Sequence, residues 1–156
     1  MADRRHLAND AWEALLSAHA VLMRQFAAED IWPEVSMREY DVLYTLSKCR
    51  EPVRINELNR HVLLSQPALS RLLDRLAERG LVERQADPAD GRGVRLSLTV
   101  PGQILQRQVG RKHARSVARA MTARLSADEL RQLETICLKL ASPVTAANDK
   151  NGDNRP

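Results

Sequence analysis

Apolar residues between Leu7 and about Glu29 fall at Leu7, Ala11, Leu15, Ala18, Leu22 and Phe26. That three-to-four-residue spacing lines one face of a helix and predicts a long first helix. Pro33 in "IWPEV" then marks a turn, because proline disfavours helix in the residue before it. Ser36 followed by Glu39 reads as a capping box opening a second helix, with an apolar stripe of Tyr40, Leu43, Tyr44 and Ser47. A short helix over about 55–62 comes after the turn at Glu51-Pro52. Leu69, Leu72, Leu73 and Leu76 then mark the buried face of a further helix. Ser65 caps that helix, and Gly80 stands where a left-handed residue closes it, with Leu81 folding back.

After Gly80 the period changes. Val82, Val94, Leu96 and Leu98 alternate with polar residues on either side of "DPADGRG", a run of turn formers. This predicts a β-hairpin with a protruding basic tip. Thr99 caps a long helix over about 100–125, with Pro101 tolerated in its first turn. Ser126 and Glu129 form a second capping box before a last helix striped by Leu130, Leu133, Ile136, Cys137 and Leu140. From Ser142 the chain is polar and rich in breakers, which predicts disorder.

The order short helix, tight turn, capped helix, hairpin predicts a mainly α protein with a small β-hairpin wing. Its parts are a winged helix-turn-helix lobe over 36–99, a dimerisation helix over 1–35, dimerisation helices over 100–141, and a tail over 142–156. The flanking helices carry apolar stripes that a lobe of this size cannot cover alone, and such stripes normally mean an interface. A two-fold dimer predicts half-sites about one helical turn apart on DNA.

Charge sharpens the picture. The chain has a net charge of +4 and a pI near 9.5, and among its 24 basic residues only Lys48, Lys112, Lys139 and Lys150 are lysines. This favours a polyanionic partner without proving one. More telling is the start of the leucine-faced helix: Gln66, Pro67, Ala68, Leu69, Ser70 and Arg71 precede its first acid, Asp74. Helix N-termini ordinarily attract acids. A recognition helix enters the major groove by that end, where phosphates would repel them. Ser65, Gln66, Pro67, Ala68 and Ser70 suit a close approach to base edges. Arg71, opposite the leucines, suits a guanine, and Arg75 a phosphate. In the wing, Arg92 suits the minor groove, Arg95 follows on the strand, and Asp90 holds the tip. For the helix alone, the other reading is a solvated face of Arg71, Asp74, Arg75 and Glu78 ion pairs.

Residues 56–102 resemble the MarR family of bacterial transcriptional regulators. The matching motifs are "RGLVER" at the end of the recognition helix, D-x-x-D-x-R in the wing, and "LTVPG" leading into a long helix. The resemblance implies a homodimer with intertwined first and last helices. It also implies an inverted-repeat operator, and usually repression released by a small ligand or an oxidant. The chain departs from the pattern at the helix-turn-helix turn, Val62-Leu63-Leu64-Ser65, which has no glycine.

Arg107, Arg111, Arg115 and Arg119 repeat every four residues along one side of the long helix. They read as a solvated face or partners of acids on another helix, or else as a lure for an acidic effector or a contact to flanking phosphate. The resemblance implies an effector pocket between dimer helices and winged lobe, within reach of His19; Arg111 and Arg115 are further ligand candidates. Cys49 and Cys137 read as small buried hydrophobes, with a thiol-based redox sensor as the alternative. The thiol-sensing branch of the family carries its cysteine near the start of the first helix, where this chain has none.

His6, His19, His61 and His113 complete no catalytic motif with the two cysteines, and no phosphate loop occurs. The expectation is therefore no enzyme, cofactor or metal. A winged-helix protein-interaction module without DNA binding would carry acids or apolar residues on the recognition face and lack the wing arginine. The "MADRRHLAND" start lacks a secretion signal's apolar core and no 18-residue apolar run exists, which predicts a cytoplasmic protein without membrane contact.

Overall fold

The computed structural model describes residues 3–142, with only the backbone described at Gly91 and Arg92. Its elements are α1 (Arg4–Ala27), α2 (Met37–Ser47), β1 (Val53–Arg54), α3 (Ile55–Asn59), α4 (Gln66–Glu78), β2 (Val82–Asp87), β3 (Asp90–Leu98), α5 (Val100–Thr122) and α6 (Ala127–Ala141). Two compact units form, one reaching to Ala118 and one beginning at Arg119. The expected tail lies, beyond Ser142, outside the described residues.

Helix ends follow local chemistry. The first helix begins before Leu7, because the Asp3 carboxylate accepts from the Arg5 N–H and caps it. It ends at Ala27, where the Trp32 indole donates to the Phe26 carbonyl at 2.7 Å. Capping boxes form at Ser36–Glu39 and Ser126–Glu129, as the sequence predicts. Helix α3 is shorter than expected: Arg60 and His61 donate three residues back, to Glu57 and Leu58, tightening the chain out of the helix.

The core of the first unit gathers Leu43 of α2, Leu58 of α3, Leu69, Leu73 and Leu76 of α4 and Leu96 of β3. Leu105 and Val109 of α5 pack on the same cluster. In α2, however, the buried face is Tyr40, Val42, Leu43 and Leu46. Tyr44 and Ser47, expected in the stripe, are exposed. The core touches α2 on a face rotated by one residue from the one the aromatic spacing suggested.

Three antiparallel strands form a sheet in the order β1-β3-β2. The hairpin turn is tighter than "DPADGRG" predicts. Asp87 pairs with Asp90 across Pro88-Ala89, and the remainder of the motif is drawn into β3 with a register shift after Ala86. Strand β1 has only two residues, Val53 and Arg54 opposite Leu96 and Arg95, too few to show an alternating pattern.

The junction between α4, wing and α5 explains two glycines. Gly80 has φ 67°, with the Gly80 N–H bonded to the Ala77 carbonyl and the Leu81 N–H to the Leu76 carbonyl. That is the Schellman closure predicted for Gly80-Leu81. Thr99 accepts the Gly102 N–H at 3.1 Å, capping α5, and its hydroxyl donates to the Gly80 carbonyl at 2.6 Å. A Cβ on Gly102 would stand 2.0 Å from the Leu81 carbonyl oxygen, so only glycine lets α5 begin so close. The glycine-free turn at 62–65 needs no left-handed residue: among the described residues Gly80 alone has positive φ.

Candidate nucleic-acid interface

Helix α4 buries Leu69, Leu72, Leu73 and Leu76 and so turns its other face outward. The Ser65 hydroxyl accepts from the Ala68 N–H, Pro67 lies in the first turn, and that turn carries no acid. Ser65, Gln66, Pro67, Arg71 and Arg75 are exposed, while Ala68 and Ser70 are half-buried. Gln66 does not swing freely. Its Nε2 donates to Asn56 Oδ1 on α3 at 3.2 Å, a buttress the sequence did not signal.

The solvated-face reading of α4 required acids paired along the helix. Asp74 instead pairs with Arg84 of β2 at 2.6 Å, tying helix to wing. Neither Arg71 nor Arg75 joins an ion pair among the described residues, which leaves both cations available to an external anion.

In the wing a second acid joins the one that the sequence named. The residue buried at the tip is Asp87, 2% exposed, whereas Asp90 is exposed. Asp87 accepts the Ala89 N–H at 3.0 Å and pairs with Arg54 and Arg95. The Ala89 N–H and the two guanidinium groups hold its carboxyl below the usual carboxylate range. Arg95 is thus engaged inside the wing, 3.1 Å from Asp87 Oδ1, with 34% of its side chain exposed. Arg92 belongs to β3 rather than to the turn, and its side chain lies outside the described residues.

A second feature is a cavity of about 680 Å³ between α2 and α5, with Tyr40, Tyr44, Arg107, Arg111 and His113 in its wall. His113 packs edge-on against Phe26 and Tyr40, with ring centroids 5.2 and 5.5 Å away, and 5.4 Å from Trp32. Burial pushes the His113 pKa down, opposed by Glu29 and Asp41, and its Nδ1 has no hydrogen-bond partner. Burial likewise raises the Tyr40 phenol. Of the three expected ligand residues only Arg111 lines this cavity. Arg115 lines a smaller one of about 220 Å³ beside Ile31 and Glu34, and His19 is exposed on α1. His113, which sequence spacing did not single out, stands in its place.

Cys49 and Cys137 are both exposed, against the expectation of burial. Cys49 follows the end of α2 at the surface, and α6 has no buried residue at all. Among the described residues no group of acids, histidines and cysteines could hold a metal, and no helix is long and apolar enough to cross a membrane.

Residues 35–93 match the model of the MarR family. The multiple antibiotic resistance protein MarR of Escherichia coli strain K12 is 31% identical over 107 residues, spanning 69% of this chain and 74% of that protein. This chain belongs to the MarR family. A crystal structure of a cysteine-to-serine mutant of Escherichia coli MarR with operator DNA superposes with TM-score 0.73 at 26% identity, covering 90% of this chain and all of that one. The PcaV transcriptional regulator of Streptomyces coelicolor, in complex with its natural ligand, gives TM-score 0.63 at 28% identity, covering 90% and 92%. MarR family proteins are transcription regulators rather than enzymes, and this winged helix-turn-helix protein is a DNA-binding regulator.

Proposed function

We propose that the protein is a homodimeric repressor of an inverted-repeat operator, released when a small acidic or aromatic ligand binds. The observation that carries the DNA reading is the exposed, acid-free start of α4, with Arg71 and Arg75 outside any ion pair among the described residues. Gln66, Ser65, Pro67, Ala68, Ser70 and Arg71 approach base edges, Arg75 a phosphate, and Arg92 the minor groove. Arg95 and Asp90 support the wing beside Asp87.

Homodimerisation is supported by apolar surface that the chain leaves bare. Leu7 is 57% and Trp12 59% exposed on α1, and Ile136 is 56% and Leu140 69% exposed on α6. Bare stripes of this kind normally face a partner. Residues 1–35 and 100–141 serve as the dimerisation region and 36–99 as the DNA-binding lobe.

The ligand reading rests on the α2–α5 cavity, whose volume of about 680 Å³ suits a small molecule. Its aromatic wall would take a ring and Arg111 a carboxylate, with Arg107 beside it. Titrating aromatic carboxylates into the protein–DNA complex tests this: release should weaken in Arg111→Ala, and an unaltered response would remove Arg111 from the site. For DNA binding itself, affinity for the duplex flanking the coding region is measured against salt. Log affinity should fall linearly with log salt, and a flat line would reject the reading, because neutralised phosphates must release counterions.

A further inference from the structure

Arg54 belongs to none of the motifs that mark the DNA-binding surface. It occupies β1, the two-residue strand leading into α3, and its Nε donates to Asp87 Oδ2 at 2.5 Å. The other oxygen of that carboxylate takes the Ala89 N–H at 3.0 Å and faces Arg95 Nε at 3.1 Å. None of the Asp87 side chain is exposed, whereas 44% of the Arg54 side chain is. One buried charge is therefore shared among the strand before the helix-turn-helix, the hairpin turn and β3. Strand β3 presses close, since a Cβ on Gly93 would stand 3.0 Å from the Asp87 Cβ.

Buried carboxylates need full compensation, and removing a partner leaves an uncompensated charge. Asp87 can keep its place only while Arg54 and Arg95 hold theirs. Apart from the β1–β3 pairing and the core packing of Leu96, a second ion pair joins wing and helix-turn-helix: Arg84 to Asp74, between two side chains that are 37% and 51% exposed. Exposed pairs of this kind constrain geometry weakly. Of the two ion-paired links, the stiffer runs through Arg54, because the Asp87 side chain is fully buried.

We propose that Arg54 is a positioning residue for operator recognition: through Asp87 it fixes the wing to the helix-turn-helix, so that α4 and the hairpin meet neighbouring grooves in one relation. The proposal rests on the DNA-binding reading above. Arg54 acts inside the protein rather than on a phosphate.

The sign of one substitution separates the two roles. Asp87→Asn removes a negative charge and frees two guanidinium groups. If Arg54 were a phosphate contact, affinity for any duplex should hold or rise. If Arg54 positions the wing, the variant should lose specific binding despite its more positive charge. The full-length protein is assayed on the duplex it selects from a random pool and on a scrambled duplex, below the unfolding temperature of every variant. Arg54→Ala and Asp87→Asn should each reduce the selected-to-scrambled affinity ratio about tenfold or more, a fraction of the usual specificity range. Scrambled binding should persist, and combining the two should cost no more than Asp87→Asn alone. Mere loss of folded protein would lower both affinities together. Arg54→Lys, which keeps the charge without the guanidinium fork, should lie between, and carries the test if Asp87→Asn does not fold. An unchanged ratio in these variants overturns the proposal, as does additivity of the two losses. Failure of the wild-type protein to select any duplex would instead sink the regulator reading.

Discussion

Arg71 and Gln66 stand on the outward face of α4, and the structure gives them different degrees of freedom. Arg71 is exposed, whereas Gln66 is buttressed by Asn56. Arg71→Ala should cost about 1–3 kcal/mol of operator affinity and relax preference at one base pair per half-site. Equal loss on random DNA would assign Arg71 to a phosphate. Asn56→Ala should broaden preference at the base pair that the proposal assigns to Gln66, with non-specific affinity unchanged, as binding to a library of single-base variants would show. His113 makes a different prediction. Its folded pKa lies below the ordinary value of about 6.5, so below that pH the unfolded chain takes up a proton that the folded chain resists. Stability should fall as pH drops through the ordinary histidine range and level off below the folded pKa, and His113→Phe should flatten that part of a thermal-unfolding profile. The acid-free, exposed start of α4 was legible in the sequence because it is a local pattern. Asn56, Asp87, Arg54 and His113 were not, because their roles come from neighbours far along the chain.

At the scale of elements, the caps and closures came directly from the sequence. Ser36, Ser65, Thr99, Ser126 and Gly80 all act where their local patterns predict. These motifs satisfy backbone groups within a few residues, so tertiary context has little say. Gly102 is the element-level test. Its missing Cβ admits the Leu81 carbonyl, so Gly102→Ala should destabilise the protein by about 1–3 kcal/mol, read from denaturant unfolding, as overpacking against backbone does. Near-wild-type stability would show that α5 can shift away without cost. Strand β1 was illegible because its partner, β3, lies far along the chain. The early end of α3 and the tight wing turn rest on bonds two or three residues long, at Arg60, His61 and Ala89, which residue type alone does not announce.

On the scale of the molecule, much of the apolar stripes of α1 and α6 stays exposed in a single chain, Leu7 and Leu15 on α1 and Ile136 and Leu140 on α6, although Phe26 is buried. Sedimentation equilibrium should find a dimer, and Trp12→Glu together with Leu16→Glu should shift it toward monomer and weaken operator binding; a monomeric wild type would refute the proposed assembly. The helical periods, their caps, the hairpin and the charge at the start of α4 can be read from the chain alone, because each depends on residues within a few positions of one another. Folding in three dimensions sets which carboxylate the wing closes around, which residue buttresses Gln66, and which side chains line the α2–α5 cavity. Those outcomes follow from burial, since a charge or ring removed from water must be matched by whatever neighbours the fold brings to it, and sequence distance carries no record of that choice.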